Sequence, residues 1–256
     1  MRIVSWNVNS LRARYARVED YLTSNEPDVL CLQETKCKGD NFPEFDFRVL
    51  GYDVCHYGLS QYNGVAIISK SNLEEISAGI ENENDPYIGD GRVIRADIEG
   101  LTVVSVYAPN GRDVTSEHYE KKLQWYDHFT DYIERLTRAK SDIVIVGDFN
   151  IAPSDEDVWD VNDFPLTTHI TDKERSKLEA LLGMGFVDSF REKYPKDEGF
   201  TFWDYRGSDF LANKGMRIDL GLVSSSLSGT INDVRVDRES RMGEKPSDHA
   251  ALIVEL

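Results

Sequence analysis

Ile143-Val144-Ile145-Val146-Gly147-Asp148-Phe149-Asn150 is the stretch on which the fold turns. Four apolar residues without polar alternation read as a strand covered on both faces, and the run stops abruptly on polar groups. Upstream, residues 116–138 predict a long helix: Ser116 can cap it, and Tyr119, Leu123, Tyr126, Phe129, Ile133 and Leu136 form its apolar stripe. Before it come four strand-like runs, 46–55, 63–69, 92–98 and 101–107. No good helix separates them, and Glu99-Gly100 is short enough for a hairpin turn. The chain opens as strand 2–6, a helix carrying Leu11, Tyr15, Val18 and Leu22, and strand 28–33. Downstream, Thr171-Asp172-Lys173-Glu174 fits a capping box for a helix ending near Gly183 or Gly185. Strands come next at about 217–223, 231–236 and 250–255. About ten strands and few helices predict an α/β sandwich in one domain, 1–256: two mixed sheets packed face to face with helices outside. A doubly wound parallel sheet fits less well, because consecutive strands lack crossover helices.

Composition sets the bounds. In 256 residues, 40% hydrophobic and 11% aromatic content is that of a packed globule and excludes disorder as the main state. The longest apolar stretches are strand-length, which excludes a membrane span. Met1-Arg2-Ile3-Val4-Ser5-Trp6 reads as a strand, not a secretory signal. Cys31, Cys37 and Cys55 form no CxxC pair and fit a reducing cytoplasm. The net charge of −17 by itself disfavours a polyanionic partner. The acidity is segmental, however. Residues 151–200 carry twelve acids against six bases, whereas residues 1–38 are nearly balanced.

Polar groups gather where the apolar strands end: Asn7, Glu34, Asp148 and Asn150, Asp219, and Asp248-His249. Strand ends aim side chains into the loops where substrates sit. If these ends converge, several carboxylates share one cavity and must raise their pKa values or bind a cation. Oxygen ligands select a hard ion, Mg²⁺ first and Mn²⁺ second, and no His/Cys cluster favours zinc. Such an ion commonly takes phosphate oxygens as further ligands, so the expected chemistry is phosphoester hydrolysis. His56, His118, His128 and His169 lack this context and read as structural or solvent-exposed. Trp6 reads as core, and Cys37 as incidental.

The combination is more specific than its parts. Trp6-Asn7-Val8-Asn9, Leu32-Gln33-Glu34-Thr35-Lys36, Asn63-Gly64-Val65-Ala66, Tyr107-Ala108-Pro109-Asn110, Gly147-Asp148-Phe149-Asn150, Phe200-Thr201-Phe202-Trp203-Asp204-Tyr205-Arg206, Met216-Arg217-Ile218-Asp219 and Ser247-Asp248-His249 succeed one another in order and spacing. From end to end this resembles the exonuclease III family of Mg²⁺-dependent DNA-repair nucleases. The resemblance implies a four-layer α/β sandwich. It also implies Glu34 as principal metal ligand with Asn7 beside it and Asp248, Asp148 and Asn150 around the ion. Asp148 would activate water, Asn150 and Tyr107 would hold the scissile phosphate, and His249 would donate to a phosphate oxygen with Asp219 fixing its imidazole. Asn110 and Arg92 would be further phosphate contacts. Phe202, Trp203 and Met216 would wall an apolar pocket for a sugar lacking its base. Arg12, Arg14, Lys36, Arg206, Lys214 and Arg217 would meet the DNA backbone. The implied substrate is double-stranded DNA with abasic sites or blocked 3′ ends, cut by a monomer. The wider superfamily shares the strand-end groups, so a phosphatase of small phosphorylated metabolites or lipids is the alternative. Two departures stand out: Ser10 where a glycine is common after Asn9, and Phe202 and Trp203 in the opposite order to some relatives. The acidic loop 151–175, with Asp155, Glu156, Asp157, Asp160 and Asp163, predicts a weak grip on duplex.

Overall fold

The computed structural model describes residues 1–80, 90–164, 167–206 and 208–256. Its strands are β1 (Arg2–Asn7), β2 (Val29–Gln33), β3 (Asp53–Tyr57), β4 (Val65–Ser69), β5 (Glu74–Ala78), β6 (Val93–Ile98), β7 (Leu101–Tyr107), β8 (Ile143–Asp148), β9 (Phe186–Asp188), β10 (Asp219–Ser224), β11 (Asp233–Asp237) and β12 (Ala251–Glu255). Its α-helices are α1 (Leu11–Asn25), α2 (Glu44–Val49), α3 (Glu117–Ala139), α4 (Asp172–Leu182) and α5 (Ser189–Lys193). The strands form two six-stranded sheets, ordered β11-β12-β1-β2-β4-β3 and β5-β6-β7-β8-β10-β9. Among the described residues each sheet has a single parallel pair, β1 with β2 and β7 with β8, and each pair is bridged by a long helix, α1 or α3. No described helix is long and apolar enough to cross a membrane.

The apolar strand β8 shows how the layers arise. Val144 and Val146 point between the sheets, where they meet Ile3, Val29, Cys31, Ile67, Leu252 and Val254. Ile143 and Ile145 point the other way, under Trp125, Phe129, Ile133 and Leu136 of α3. Period-two alternation thus feeds two separate cores from one uninterrupted run. On the outer face of the first sheet, Leu11, Val18 and Leu22 of α1 cover Val4, Trp6, Leu30 and Leu32. The helix starts are as the sequence predicts. The Ser116 hydroxyl accepts from the His118 N–H, and Thr171 and Glu174 cap each other reciprocally.

One expected strand is corrected, and β5, β9 and α5 carry no signal in the sequence. Residues 46–55 are not one strand: Glu44–Val49 is helical and buries Phe47 against Phe42 and Tyr15. Gly51 then reverses the chain at φ 88 before β3 begins. Strand β5 lies at a sheet edge with its residues mostly exposed, so it lacks the apolar alternation that marks a strand. Strand β9 and helix α5 are three and five residues long, too short to show periodicity.

Candidate active site

The sheet register sets the site. Asp148 at the end of β8 lies opposite Tyr107 at the end of β7 and opposite Asp219 at the start of β10. In the other sheet Asn7 ends β1 beside Gln33, and Glu34 comes one residue later at a left-handed φ of 50. Gly147 allows β7 and β8 to close here, because a Cβ on it would sit 1.9 Å from the Val106 carbonyl oxygen.

Asn7 joins the two sheets. Its Nδ2 donates to Glu34 Oε1 and to Asp148 Oδ2, each at 2.9 Å. Asn150 braces the same carboxylate: its backbone N–H donates to Asp148 Oδ1 at 2.9 Å and its Nδ2 to Oδ2 at 3.2 Å. The second Nδ2 hydrogen of Asn150 goes to the Ala108 carbonyl at 2.9 Å, and its Oδ1 accepts from Asn110 Nδ2 at 3.2 Å. His249 Nδ1 lies 2.7 Å from Asp219 Oδ2, and its Nε2 stands 3.9 Å from Asp148 Oδ2. Arg92 stacks over the Tyr107 ring at 4.8 Å.

Electrostatics divides the labour. Burial pushes the Asp148 carboxyl up to about 7, with Asp219 and Glu34 adding and His249 opposing. Burial alone would lower the His249 pKa, but the charges of Asp219 and Asp148 outweigh it and raise it to about 10. The Asp219 carboxylate, 2.7 Å from Nδ1, thus favours the imidazolium, whose Nε2 donates. Burial raises the Tyr107 phenol well above its ordinary value, so it too stays a donor.

Ligand atoms of Glu34, Asp148 and His249 lie within 4.8 Å of one another, the metal-competent grouping among the described residues. With His249 protonated, the oxygen donors are Glu34 and Asp148. Three carboxyl groups, Glu34, Asp148 and Asp219, face two cations, the Lys36 ammonium 2.9 Å from Glu34 and the His249 imidazolium, and a hard divalent cation fits the shortfall. Asp248 lies outside this grouping, and its Oδ1 accepts from Asn9 Nδ2 at 3.0 Å.

Several expected contacts fall elsewhere. Arg217 is 0% exposed; its guanidinium lies 2.6 Å from Asp157 and 2.8 Å from Asp188, so it is internal and meets no DNA. The same contact, with Arg191 at 2.5 Å, removes Asp157 from the acidic surface of loop 151–175. Trp203 is also 0% exposed, edge-on to Phe210 and under the Arg238 guanidinium, so it walls no open pocket. Phe202 is the ring beside the site, 5.0 Å from the His249 imidazole, with Met216 packed beneath it. Lys214 lies over Trp159, whereas Arg206 stands 92% exposed. Arg14 donates to the Asn9 carbonyl and to Tyr205 Oη and so shapes the β1–α1 loop.

His169, read from the sequence as structural or solvent-exposed, is buried, with Nδ1 2.6 Å from the Asn150 carbonyl oxygen and Nε2 3.5 Å from Asn110 Nδ2. Burial and the nearby Lys122 lower its pKa to about 3. The neutral ring thus donates through Nδ1 to the Asn150 carbonyl.

A sequence profile of the endonuclease/exonuclease/phosphatase family matches residues 4–249. An exodeoxyribonuclease III from Haemophilus influenzae is 35% identical over 267 residues, covering 100% of this chain and 99% of that one. An exodeoxyribonuclease from Bacillus subtilis is 34% identical and covers 98% of each chain. Among solved structures, a 3′ phosphatase from Neisseria bound to a product DNA hairpin superposes with a TM-score of 0.96 at 38% identity, covering 100% and 99% of the two chains. An AP endonuclease from Archaeoglobus fulgidus superposes with a TM-score of 0.94 at 36% identity, covering 99% and 98%. The chain belongs to the endonuclease/exonuclease/phosphatase family, in its exonuclease III-like branch.

Proposed function

We propose that the protein is a DNA-repair nuclease dependent on Mg²⁺, with Mn²⁺ as substitute, that hydrolyses phosphodiesters in duplex DNA. It incises on the 5′ side of abasic sites and removes nucleotides and phosphates from 3′ ends. The observation that carries this reading is the meeting of Glu34, Asp148 and His249 at the joined ends of both sheets, where the Asn7 amide bonds both carboxylates.

The bound ion supplies charge neutralisation at the phosphorus centre and lowers the pKa of water. Glu34 and Asp148 would hold it. Asp148, with a carboxyl poised near neutrality and locked by Asn7 and Asn150, orients the attacking water and takes its proton. His249 gives its Nε2 hydrogen to a non-bridging phosphate oxygen, while Asp219 holds the ring and its charge. Tyr107 and Asn110 add neutral donors, and Arg92 fixes Tyr107 from its other face. Phe202, over Met216, offers an apolar wall to a sugar without its base, which costs little to extrude because no pairing or stacking is lost. All these groups come from one chain, so a monomer is sufficient.

The test is cleavage of two labelled duplexes, one abasic and one ending in a 3′-phosphate, with millimolar Mg²⁺ or with EDTA. Products in Mg²⁺ alone support the reading. If both duplexes stay intact with the ion while inositol phosphates or phospholipids are turned over, the small-phosphate alternative takes its place.

A further inference from the structure

Beneath the site, and not facing it, Lys122 of α3 and Glu174 of α4 form an ion pair in which neither side chain is exposed. Lys122 Nζ lies 2.5 Å from Glu174 Oε1, 2.5 Å from the Asn150 carbonyl, 3.0 Å from Thr168 Oγ1 and 3.3 Å from the Asn110 carbonyl. Glu174 Oε1 also accepts from Thr168 Oγ1 and from the His169 N–H at 2.9 Å, while its Oε2 accepts from the Thr171 N–H. One pair therefore ties together the loops that carry Asn110, Asn150 and His169.

Stability alone does not account for this pair. Lys122 stands on the apolar stripe of α3, between Tyr119, Leu123 and Tyr126, where an aliphatic side chain would pack. Buried ion pairs are commonly no better than apolar residues of similar volume. The ammonium is instead directed at the carbonyls of the two asparagines whose amides line the site. The loop is moulded to it: Gly111, at φ 87, leaves no room for a Cβ, which would come 2.9 Å from Lys122 Cδ and 2.7 Å from Thr168 Oγ1.

We infer that the Lys122–Glu174 pair is a positioning element of the reaction, fixing the backbone at Asn110 and Asn150 so that the Asn150 amide braces Asp148 and the Asn110 amide braces Asn150. The inference rests on the nuclease reading above. Lys122 touches no substrate and acts through Asn150. The second hydrogen-bonding partner of the Asn150 carbonyl, His169, gives the same loop a neutral support, so loss of the ammonium tilts the loop without releasing it.

The experiment compares Lys122→Met and Glu174→Gln with the intact protein, using the 3′-phosphorylated duplex at saturating Mg²⁺. Folding is monitored by circular dichroism. In folded Lys122→Met, kcat should fall about 30-fold with KM within about threefold, as expected for a misplaced rather than missing group. On an Asn150→Ala background the same substitution should cost less than about threefold, because residues acting through one another are not additive. If Lys122→Met does not fold, Glu174→Gln, which keeps its volume and caps, decides by a kcat loss of about tenfold. The side-chain NH₂ resonances of Asn110 and Asn150 read the same effect without turnover. They should move in Glu174→Gln while those of Asn25 and Asn232 stay. An unchanged kcat with unmoved resonances overturns the inference, as does an equal loss with and without Asn150. Failure of the intact protein to cleave DNA, with the resonances moving as expected, would count against the nuclease reading and not against the positioning.

Discussion

Asn7 and Asp148 lie 141 positions apart in the chain, and a 2.9 Å hydrogen bond between them joins the end of one sheet to the end of the other. The bond is buried, and the same Asn7 amide also holds Glu34. The carboxylate that would activate water and the one that would hold the ion are thereby fixed by a single neutral group. A shift of either sheet would disturb both.

Asp148→Asn keeps the size of the side chain but removes the base, and its NH₂ replaces one of the two oxygens that accept from Asn7 and Asn150. We expect cleavage of the abasic duplex to fall by about 10³-fold, the scale of a lost general base, with no loss of folding. His249→Ala should cost about 10²-fold or more through the lost donor. Single-turnover rates under saturating enzyme measure both.

The acid limb of the rate profile should move with the ion. Without it, burial holds Asp148 near 7. A bound cation favours the ionised carboxylate, so raising Mg²⁺ should shift the acid limb of kcat/KM to lower pH. Profiles at two Mg²⁺ concentrations that superimpose would remove Asp148 from the role of base at the ion.

Stability should fall on mild acidification for a different reason. Burial lowers His56 to about 4 and His169 to about 3. Between their ordinary value of roughly 6.5 and these values, the unfolded chain binds protons that the folded chain refuses. Stability contributed by the neutral rings is present above pH 6.5 and is lost as pH drops towards 4. His56→Gln should flatten that slope by about 2 kcal/mol between pH 6.5 and 4, measured by urea unfolding.

Ser10 occupies φ 92, the left-handed region that favours glycine, and its hydroxyl caps nothing. Ser10→Gly should therefore stabilise the protein by about 0.5–1 kcal/mol, visible as a higher Tm. A lower Tm would show that the strain is relieved in some other way.

Arg217 and Arg206 separate packing from binding. Arg217→Met leaves Asp157 with Arg191 alone and takes the guanidinium from half-buried Asp188, and should cost about 3 kcal/mol of stability. Arg206→Ala removes an exposed cation and should change stability by less than about 0.5 kcal/mol while weakening duplex binding at low salt.

Local pattern is the part of this protein that the sequence makes legible. The run Ile143–Val146 announces a strand with two covered faces, and the caps at Ser116 and Thr171 place α3 and α4 correctly. The strand-end groups from Asn7 to His249 are legible because a rigid strand aims the residues just beyond its end. Burial is not legible in this way. Arg217 and Trp203 sit within a polar, aromatic motif yet lie wholly inside, because residues far along the chain, Asp157 for Arg217 and Arg238 for Trp203, neutralise or cover them. A usable signal does exist for Lys122, three residues after Tyr119 and four before Tyr126: it is a charge on an apolar stripe. His169 gives no signal, since its ring partners, the Asn150 carbonyl and the Asn110 amide, are brought to it by the fold.

The most direct test is a Mg²⁺ titration of abasic-duplex cleavage by the intact protein and by Glu34→Gln. We expect no cleavage in EDTA, saturable activation by the ion, and a half-activating concentration at least about tenfold higher in Glu34→Gln, the scale of a lost carboxylate ligand. Identical titration curves for the two proteins, or cleavage that persists in EDTA, would contradict this expectation.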